Sequence, residues 1–359
     1  MLGFSRAQLS NAVDSVLKTL RHAYRRSYLR REIRACGNCR SALTRDQRAQ
    51  AKAYWRKYTK HFSPLWHELF AARTGRFDVR YIPADLMYTE IEGYLNDWAS
   101  AKGIDNKCNY AMYFPEVRQP QTAFTRQRGI YRDADYDIIS RAQALENCRK
   151  MGDVALKVAV DSGRGSGLRF WRGQDGAETL DRFVDELKGD IVAQAFIAQH
   201  PELAAINPTS VNVIRVMTLA ASSGVRLVSA YLQTGRDNTR QSQVSKGGCI
   251  VGIEPDGTCR KQAFDSNYHP LTVHPNGLVF EGFAVPGYDK VVLAAKRMHR
   301  KMGDFRIISW DFAVSPEGEP VFIEMNLNYG GIVYHQLSGG PLFAEDTDAL
   351  LDEVYGKQG

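Results

Sequence analysis

Hydrophobic positions near the start of the chain recur at helical spacing. Val13, Val16, Leu17, Leu20, Tyr24 and Tyr28 are interleaved with Arg21, Arg25, Arg26 and Arg30, a pattern that predicts an amphipathic helix with an apolar stripe and cationic flanks. A second helix is expected to carry Tyr54, Trp55, Tyr58, Phe62, Leu65, Trp66, Leu69 and Phe70. From Asp78 onward short β-like runs alternate with helical ones, which points to mixed α and β structure. Residues 153–160, DVALKVAV, read as a buried strand.

Towards the other end two apolar runs, RIISWDFAV at 306–314 and EPVFIEMN at 319–326, flank Ser315-Pro316-Glu317-Gly318. That turn chemistry predicts an antiparallel hairpin. With a loop of residues 316–319, Ser315 pairs with Pro320 and Asp311 lies opposite Glu324. Any loop of even length keeps both carboxylates on one face, because side chains alternate along each strand. Asn326 shares that face, and Trp310, Phe312, Ile323 and Met325 are expected to point the other way into a core.

Composition changes this picture little. The 359 residues, 44% hydrophobic, suffice for two or three packed subdomains, and no tract suggests a repeat array or disorder. No apolar run has the length of a membrane span, and the opening residues lack the apolar core of a secretory signal, so a cytoplasmic protein is expected. Six cysteines are too few and too irregular for a secreted disulfide framework. Only Cys36 and Cys39 have metal or redox spacing. A zinc site would need a second ligand pair, and no histidine lies close by in sequence, so reduced thiols at a turn are the expectation.

Charge adds an asymmetry. Residues 1–60 hold fifteen Lys and Arg against Asp14, Glu32 and Asp46, a balance of +12, whereas the remaining chain carries −5. A basic helical module of this kind caps the body, lies on an anionic membrane surface, or receives an acidic glycan; no base-reading nucleic-acid motif is present.

The candidate chemistry gathers at two places. After the 153–160 strand come Gly163, Gly165 and Gly167, spaced so that backbone N–H groups are free to approach phosphate. Leu168-Arg169-Phe170-Trp171 then reads as a returning strand, so the glycines form a hairpin flap and open neither a Rossmann helix nor a P-loop. Lys157 interrupts the preceding apolar strand and needs an anionic partner or an exit to water. In the later hairpin, Asp311, Glu324 and Asn326 supply hard oxygen ligands without Cys or His, a set suited to Mg²⁺.

The run WDFAV…GEPVFIEMNLNYGG resembles the metal motif of ATP-grasp enzymes, and in detail that of the sugar-transfer associated ATP-grasp branch, linked to bacterial surface polysaccharide synthesis. Ile206 and the following NPTSVNVIRVMT are similar to that branch's arginine-bearing strand, and the resemblance covers roughly residues 77–345. It implies an α+β architecture, two α/β subdomains clasping ATP behind a helical N-terminal module. Boundaries follow at 1–75 for the basic module, 76–150 for a segment with the first nucleotide lysine, 151–200 for the lid and 201–359 for the metal subdomain.

By the same resemblance Lys107 and Lys157 contact nucleotide, and Gln194, Phe196 and Ile197 lie in the adenine hinge, where many relatives carry glutamate at the Gln194 position. Arg215 and, less directly, Lys246 face the transferred phosphate; Asp311, Glu324 and Asn326 hold Mg²⁺, expected as two ions; His335 or Gln336 borders the acceptor. The implied reaction is carboxylate activation by ATP as an acylphosphate, followed by attack of an amine or other nucleophile, with a surface-glycan precursor as the associated substrate. A phosphotransferase acting on a hydroxyl and a non-catalytic nucleotide-binding partner of the glycan machinery are the alternatives.

Overall fold

In the computed structural model the described residues are 42–160, 167–236, 239 and 241–356, together with 16, 19, 20, 22–28, 30, 31, 33, 34 and 39. The chain divides into two compact units, Met1–Leu95 with Gly340–Gly359, and Asn96–Gly339.

The first unit is helical. Helix α1, Arg45–Trp55, begins at a capping box: Thr44 accepts from the Gln47 N–H at 3.2 Å, and the Gln47 side chain accepts from the Thr44 N–H at 2.9 Å. Helix α2, Leu65–Thr74, stops at Gly75, whose φ of 71° is left-handed. The aromatic run expected on one helix is therefore divided over two. Pro64 accounts for the break, since it has no N–H to donate and is tolerated only where a helix begins. The divided run still packs: Trp55 stacks on Phe62 and Phe70 on Tyr81.

Upstream, residues 16, 19, 20, 22–28, 30, 31, 33 and 34 are helical where described, as expected. Their orientation reverses the expectation. Val16, Leu20, Tyr24 and Tyr28 are exposed, while Arg25 lies over the Tyr88 ring and Arg26 pairs with Glu90 at 3.9 Å. Arg21 and the Cys36 half of the cysteine pair fall outside the described residues; Cys39 is buried as a free thiol. The last helix also belongs to this unit, where Tyr355 donates to Glu90 at 2.9 Å and Arg80 reaches Glu345 at 3.0 Å.

The second unit contains two antiparallel sheets. Strands β1 (Thr122–Gln127), β2 (Ile130–Arg132), β3 (Ile138–Ile139), β4 (Val154–Val158), β5 (Leu168–Trp171) and β6 (Ile191–Ala195) form the first, in the order β3-β2-β1-β6-β4-β5. One sheet thus spans the 150/151 boundary expected from sequence. Strands β7 (Val213–Ala221), β8 (Gly224–Thr234), β9 (Cys249–Ile253), β10 (Cys259–Phe264), β11 (Pro270–Leu271), β12 (Ile307–Val314) and β13 (Pro320–Asn326) form the second, in the order β11-β10-β9-β8-β7-β12-β13.

Each sheet has one apolar face. In the first, Val154, Leu156, Ile191 and Ala193 pack with Leu145, Leu180 and Val184. In the second, Ile214, Val216, Trp310, Phe312 and Met325 pack against Val291, Ala295 and Met298 of the helix Tyr288–His299. Because strands alternate, the opposite faces are free to carry polar groups. Asn96 braces the ends of β12 and β13: its amide donates to the carbonyls of Ile307 and Leu327, and its carbonyl accepts from the N–H groups of Arg306 and Ile307.

Candidate functional site

The site is built on the β12–β13 hairpin. Asp311 lies opposite Glu324, and Asn326 opposite Ser309, as the sequence predicts. The route to that register differs. Val314 pairs with Pro320, and the turn Pro316-Glu317-Gly318 lies inside a Ser315 N–H to Glu319 carbonyl bond of 2.9 Å, with Gly318 left-handed at φ 76°. An odd turn alone would displace the carboxylates from each other. One extra residue on β13 restores the pairing, because the register shifts between Asp311 and Phe312. The bulge also changes the core: Phe322 is buried in the cluster, and the expected Ile323 is only half-buried.

The same register carries across the sheet. Asp311 lies beside Arg215 on β7, Arg215 beside Tyr231 on β8, and Tyr231 beside Gly252 on β9. Residues directly opposite share a face, so Tyr231, Arg215, Asp311 and Glu324 make one polar row. Within it Arg215 grips Asp311 with both arms of its fork, Nε to Oδ1 and Nη2 to Oδ2, each at 2.5 Å. Helix α8 (counting from α1 in chain order, after α3 Trp98–Ile104, α4 Arg141–Met151, α5 Ala177–Glu186, α6 Pro201–Ile206 and α7 Tyr288–His299) is Ile332–Gly339 and covers part of this face. Gly252 permits its approach: a Cβ there would stand 2.7 Å from the Ser338 carbonyl oxygen.

Two lysines reach the row from elsewhere in the unit. The Lys107 N–H donates to the Ala159 carbonyl at 3.1 Å, and its Nζ lies 3.2 Å from Glu324. Lys157 lies on β4, flanked by β5 and β6, so it is not on an edge strand. Its Nζ donates to Gln194 Oε1 at 3.1 Å. Burial lowers the Lys157 ammonium to about 8, with Glu324 opposing the shift and Lys107 adding to it. Burial would raise Glu324, but Lys107, Arg215 and Lys157 bring its carboxyl down to about 2. Lys107, Lys157 and Arg215 therefore all act on Glu324, and Asp105 is a further carboxylate acting on Lys107.

The remaining expected residues fall as follows. Gly163 and Gly165 lie outside the described residues. Gly167 has φ 79°, its carbonyl accepts from the Val158 N–H at 3.0 Å, and a Cβ on it would stand 2.5 Å from Val158 Cγ2, so only glycine closes that hairpin. Gln194 is buried, Ile197 half-buried and Phe196 exposed, edge-to-face with Phe170; the Phe196 N–H already donates to Asp153 O at 3.2 Å. Lys246 is exposed on the turn Val244–Lys246, and no hydrogen bond or ion pair among the described residues joins it to the row.

His335 and Gln336 have no exposed surface. His335 packs on Tyr231 with ring centroids 4.6 Å apart, neither of its ring nitrogens has a partner among the described residues, and burial together with Arg215 holds it well below its ordinary pKa. As folded, neither side chain is presented to a ligand. Sequence reasoning missed Tyr231, because only strand order places it beside Arg215, and it missed Thr125, which lines a narrow cleft with Lys107, Gln119, Tyr136 and Gln194.

The donor set suits a hard divalent cation. Among the described residues no three His, Cys, Asp or Glu side chains cluster for a metal, so the candidates are two carboxylates and an amide. Asn326 would ligate through its amide oxygen, its side-chain nitrogen being a buried donor without a partner among the described residues, and Glu324 retains 27% of its side-chain surface. Asp311 is the guarded member, since both its oxygens are held by Arg215.

Residues 184–349 match the family model described as sugar-transfer associated ATP-grasp. Over those residues the chain carries the sugar-transfer associated ATP-grasp signature. Among solved structures, the chain is similar to a biotin carboxylase in complex with β,γ-ATP from Campylobacter jejuni, at 13% identity and TM-score 0.44, over 70% of this chain and 46% of that one. It is also similar to the VanG D-Ala:D-Ser ligase of Enterococcus faecalis, at 12% identity and TM-score 0.44, over 72% of this chain and 62% of the other. A third is the D-alanine–D-alanine ligase of Bacillus anthracis complexed with ATP, at 12% identity and TM-score 0.38, over 72% and 65%. The match thus spans about half the length of the first of these. No curated protein matches in sequence.

Proposed function

We propose that the protein is an ATP- and Mg²⁺-dependent ligase that activates a small-molecule carboxylate as an acylphosphate and joins it to an amine or other nucleophile. The observation that carries this reading is the grouping of Lys107, Lys157 and Arg215 around the Asp311–Glu324 pair on one polar row. Three cations grouped in this way suit the phosphates of a nucleotide triphosphate, whose negative charge a divalent cation on the carboxylates would share.

Asp311, Glu324 and Asn326 would hold Mg²⁺, two ions in the fullest form, and the metal would offset phosphate charge. The protein's own groups do the rest. Lys157 exchanges its Gln194 contact for phosphate oxygen. Lys107, relieved of Glu324, turns its ammonium to the phosphates, and Arg215, relieved of Asp311, steadies the transferred group beside the carboxylate it meets. Gln194, Phe196 and Ile197 flank the base, and the hairpin closed by Gly167 keeps water from the acylphosphate.

The acceptor is proposed to be a glycan precursor such as a uronic acid, handled in the cytoplasm at the inner face of the membrane. The test is ADP release stimulated by an amino acid and a uronic acid together, with the product identified by mass. An amide with free phosphate supports the ligase; a phosphorylated acceptor with no acyl product would replace it by a phosphotransferase. Absence of ADP release with bound nucleotide would leave a nucleotide-binding partner.

A further inference from the structure

The leading helical residues face against their own pattern. Val16, Leu20, Tyr24 and Tyr28 stand four apart, hence on one side, and are 59%, 60%, 71% and 39% exposed. On the other side Ile33 is buried at 3%, and His22, Arg25, Arg26 and Arg30 are half-buried. What draws the arginines inward is acidic and aromatic surface within the same unit: Tyr88 under Arg25, Glu90 beside Arg26, and Asp85, which has no exposed surface and, among the described residues, no hydrogen-bond partner for either carboxylate oxygen. A buried carboxylate without hydrogen bonds is costly unless cations stand near, and Arg30 and Arg26 both lower its pKa, which burial raises to about 6.

The arginines are thus engaged inside the unit, and the side left outward is apolar. Four large hydrophobes in one row are not what a helix shows to water. The same outward side ends in exposed Arg31 and Arg34. An acidic glycan would satisfy those two guanidinium groups and leave the apolar row wet. A bilayer interface covers both: aliphatic side chains enter the acyl boundary, tyrosines stay at headgroup depth, and the cations meet lipid phosphate.

We propose that this outward face is an in-plane binding site for an anionic membrane surface, with Val16, Leu20, Tyr24 and Tyr28 entering the interface and Arg31 and Arg34 selecting anionic headgroups. No helix among the described residues is long and apolar enough to cross a membrane, so the contact is peripheral. The inference rests on the peripheral location proposed above and is independent of the ligase chemistry.

The test is flotation of the full-length protein with vesicles of phosphatidylcholine alone or mixed with phosphatidylglycerol, at low and high salt. The wild type is expected to float with the mixed vesicles and to remain partly bound at high salt, since insertion of apolar side chains is not screened. Leu20→Ser with Tyr24→Ser is expected to reduce the bound fraction tenfold or more at both salts. Arg31→Gln with Arg34→Gln is expected to abolish the preference for anionic lipid. Nucleotide-dependent ADP release and circular dichroism should not move in either variant. As a check that does not depend on loss, a Tyr24→Trp variant should be quenched by brominated lipid tails. The proposal is overturned if the wild type does not float at low salt, or if the serine variant floats like the wild type. It is equally overturned if lipid-free wild type is a dimer that the serine variant dissociates, or if only acidic polysaccharide is retained. Each of these leaves the ADP-release assay intact, so failure here and failure of the ligase reading are separable.

Discussion

The β12–β13 hairpin and the leading helical residues were read from the same kind of signal, a periodic alternation of apolar and polar positions, and the two readings fared differently. In the hairpin Asp311 and Glu324 share a face, with Trp310, Phe312 and Met325 in the core behind them. In the leading residues the periodicity again sorted apolar from cationic positions correctly, yet the cationic side turned inward. Periodicity groups residues by side; it does not choose which side the fold buries. In a strand of a large sheet that choice is made by the apolar area on offer, since charged groups rarely lie in a core. On a single surface helix it depends on the neighbour, and here the neighbour offers Glu90, Asp85 and Tyr88, which suit arginine better than leucine.

The largest effect is expected at Arg215. Because Arg215→Met leaves the Asp311 carboxylate buried with both oxygens unpartnered, a loss of about 3–5 kcal/mol in denaturant unfolding is expected. Adding Asp311→Leu to that variant should recover most of the loss, as an apolar pair removes the stranded charge. If the single variant unfolded at the parent midpoint, the row would not be an electrostatic unit.

Glu324→Gln keeps the side-chain shape but removes one charge from the proposed metal ligands and the ion-pair partner of Lys107, so turnover in Mg²⁺ should fall about 100-fold and the melting temperature should fall while the fold is retained. Parent-rate ADP release from this variant would remove the hairpin from the chemistry.

Lys157→Met should weaken ATP binding about tenfold by calorimetry. The same residue gives a pH test. Its ammonium, lowered to about 8, loses its proton in the free protein as pH rises through that value, whereas phosphate binds the charged form. Nucleotide affinity should therefore be highest below pH 8 and fall towards pH 9, by up to about tenfold per unit once the lysine is neutral. Lys157→Met should flatten that part of the profile. For folding the sign is opposite: the depressed pKa penalises the native state below pH 8, and the penalty is relieved as pH rises towards the ordinary lysine value.

The smallest effect sharpens the contrast. Leu20→Ser should change stability by less than about 0.5 kcal/mol, because the side chain is already in water, although a leucine on the buried side of an amphipathic helix would cost several times more. Arg26→Gln should cost about as much as Leu20→Ser or more, through the lost Glu90 contact. A larger loss at Leu20 than at Arg26 would restore the conventional orientation.

Much of the second unit was legible because its signals are local. The turn at 315–318, the strand alternation, the glycine before Leu168 and the lysine inside an apolar strand each declare themselves within a few residues. What was not legible depends on strand order and on neighbours distant in sequence. Tyr231 joins the row only because β8 pairs with β7, and the burial of His335 follows from α8 approaching Gly252. Pro64 was visible, but its power to divide the aromatic run lost to the long helical period around it. The expected outward arginines failed for the same distal reason, since Glu90 and Asp85 lie some 60 residues away from them in sequence.

The bulge on β13 has a consequence for descent. A three-residue turn and one surplus strand residue are two odd counts that cancel, so Asp311 faces Glu324 only while both persist. A single-residue insertion at the tip or deletion at Ile323 would by itself slide one carboxylate past the other, whereas the two lengths changed together would be silent. Relatives with a tip one residue longer should accordingly have a straight β13, and the alignment gaps on either side of Phe322 should be inherited as a pair.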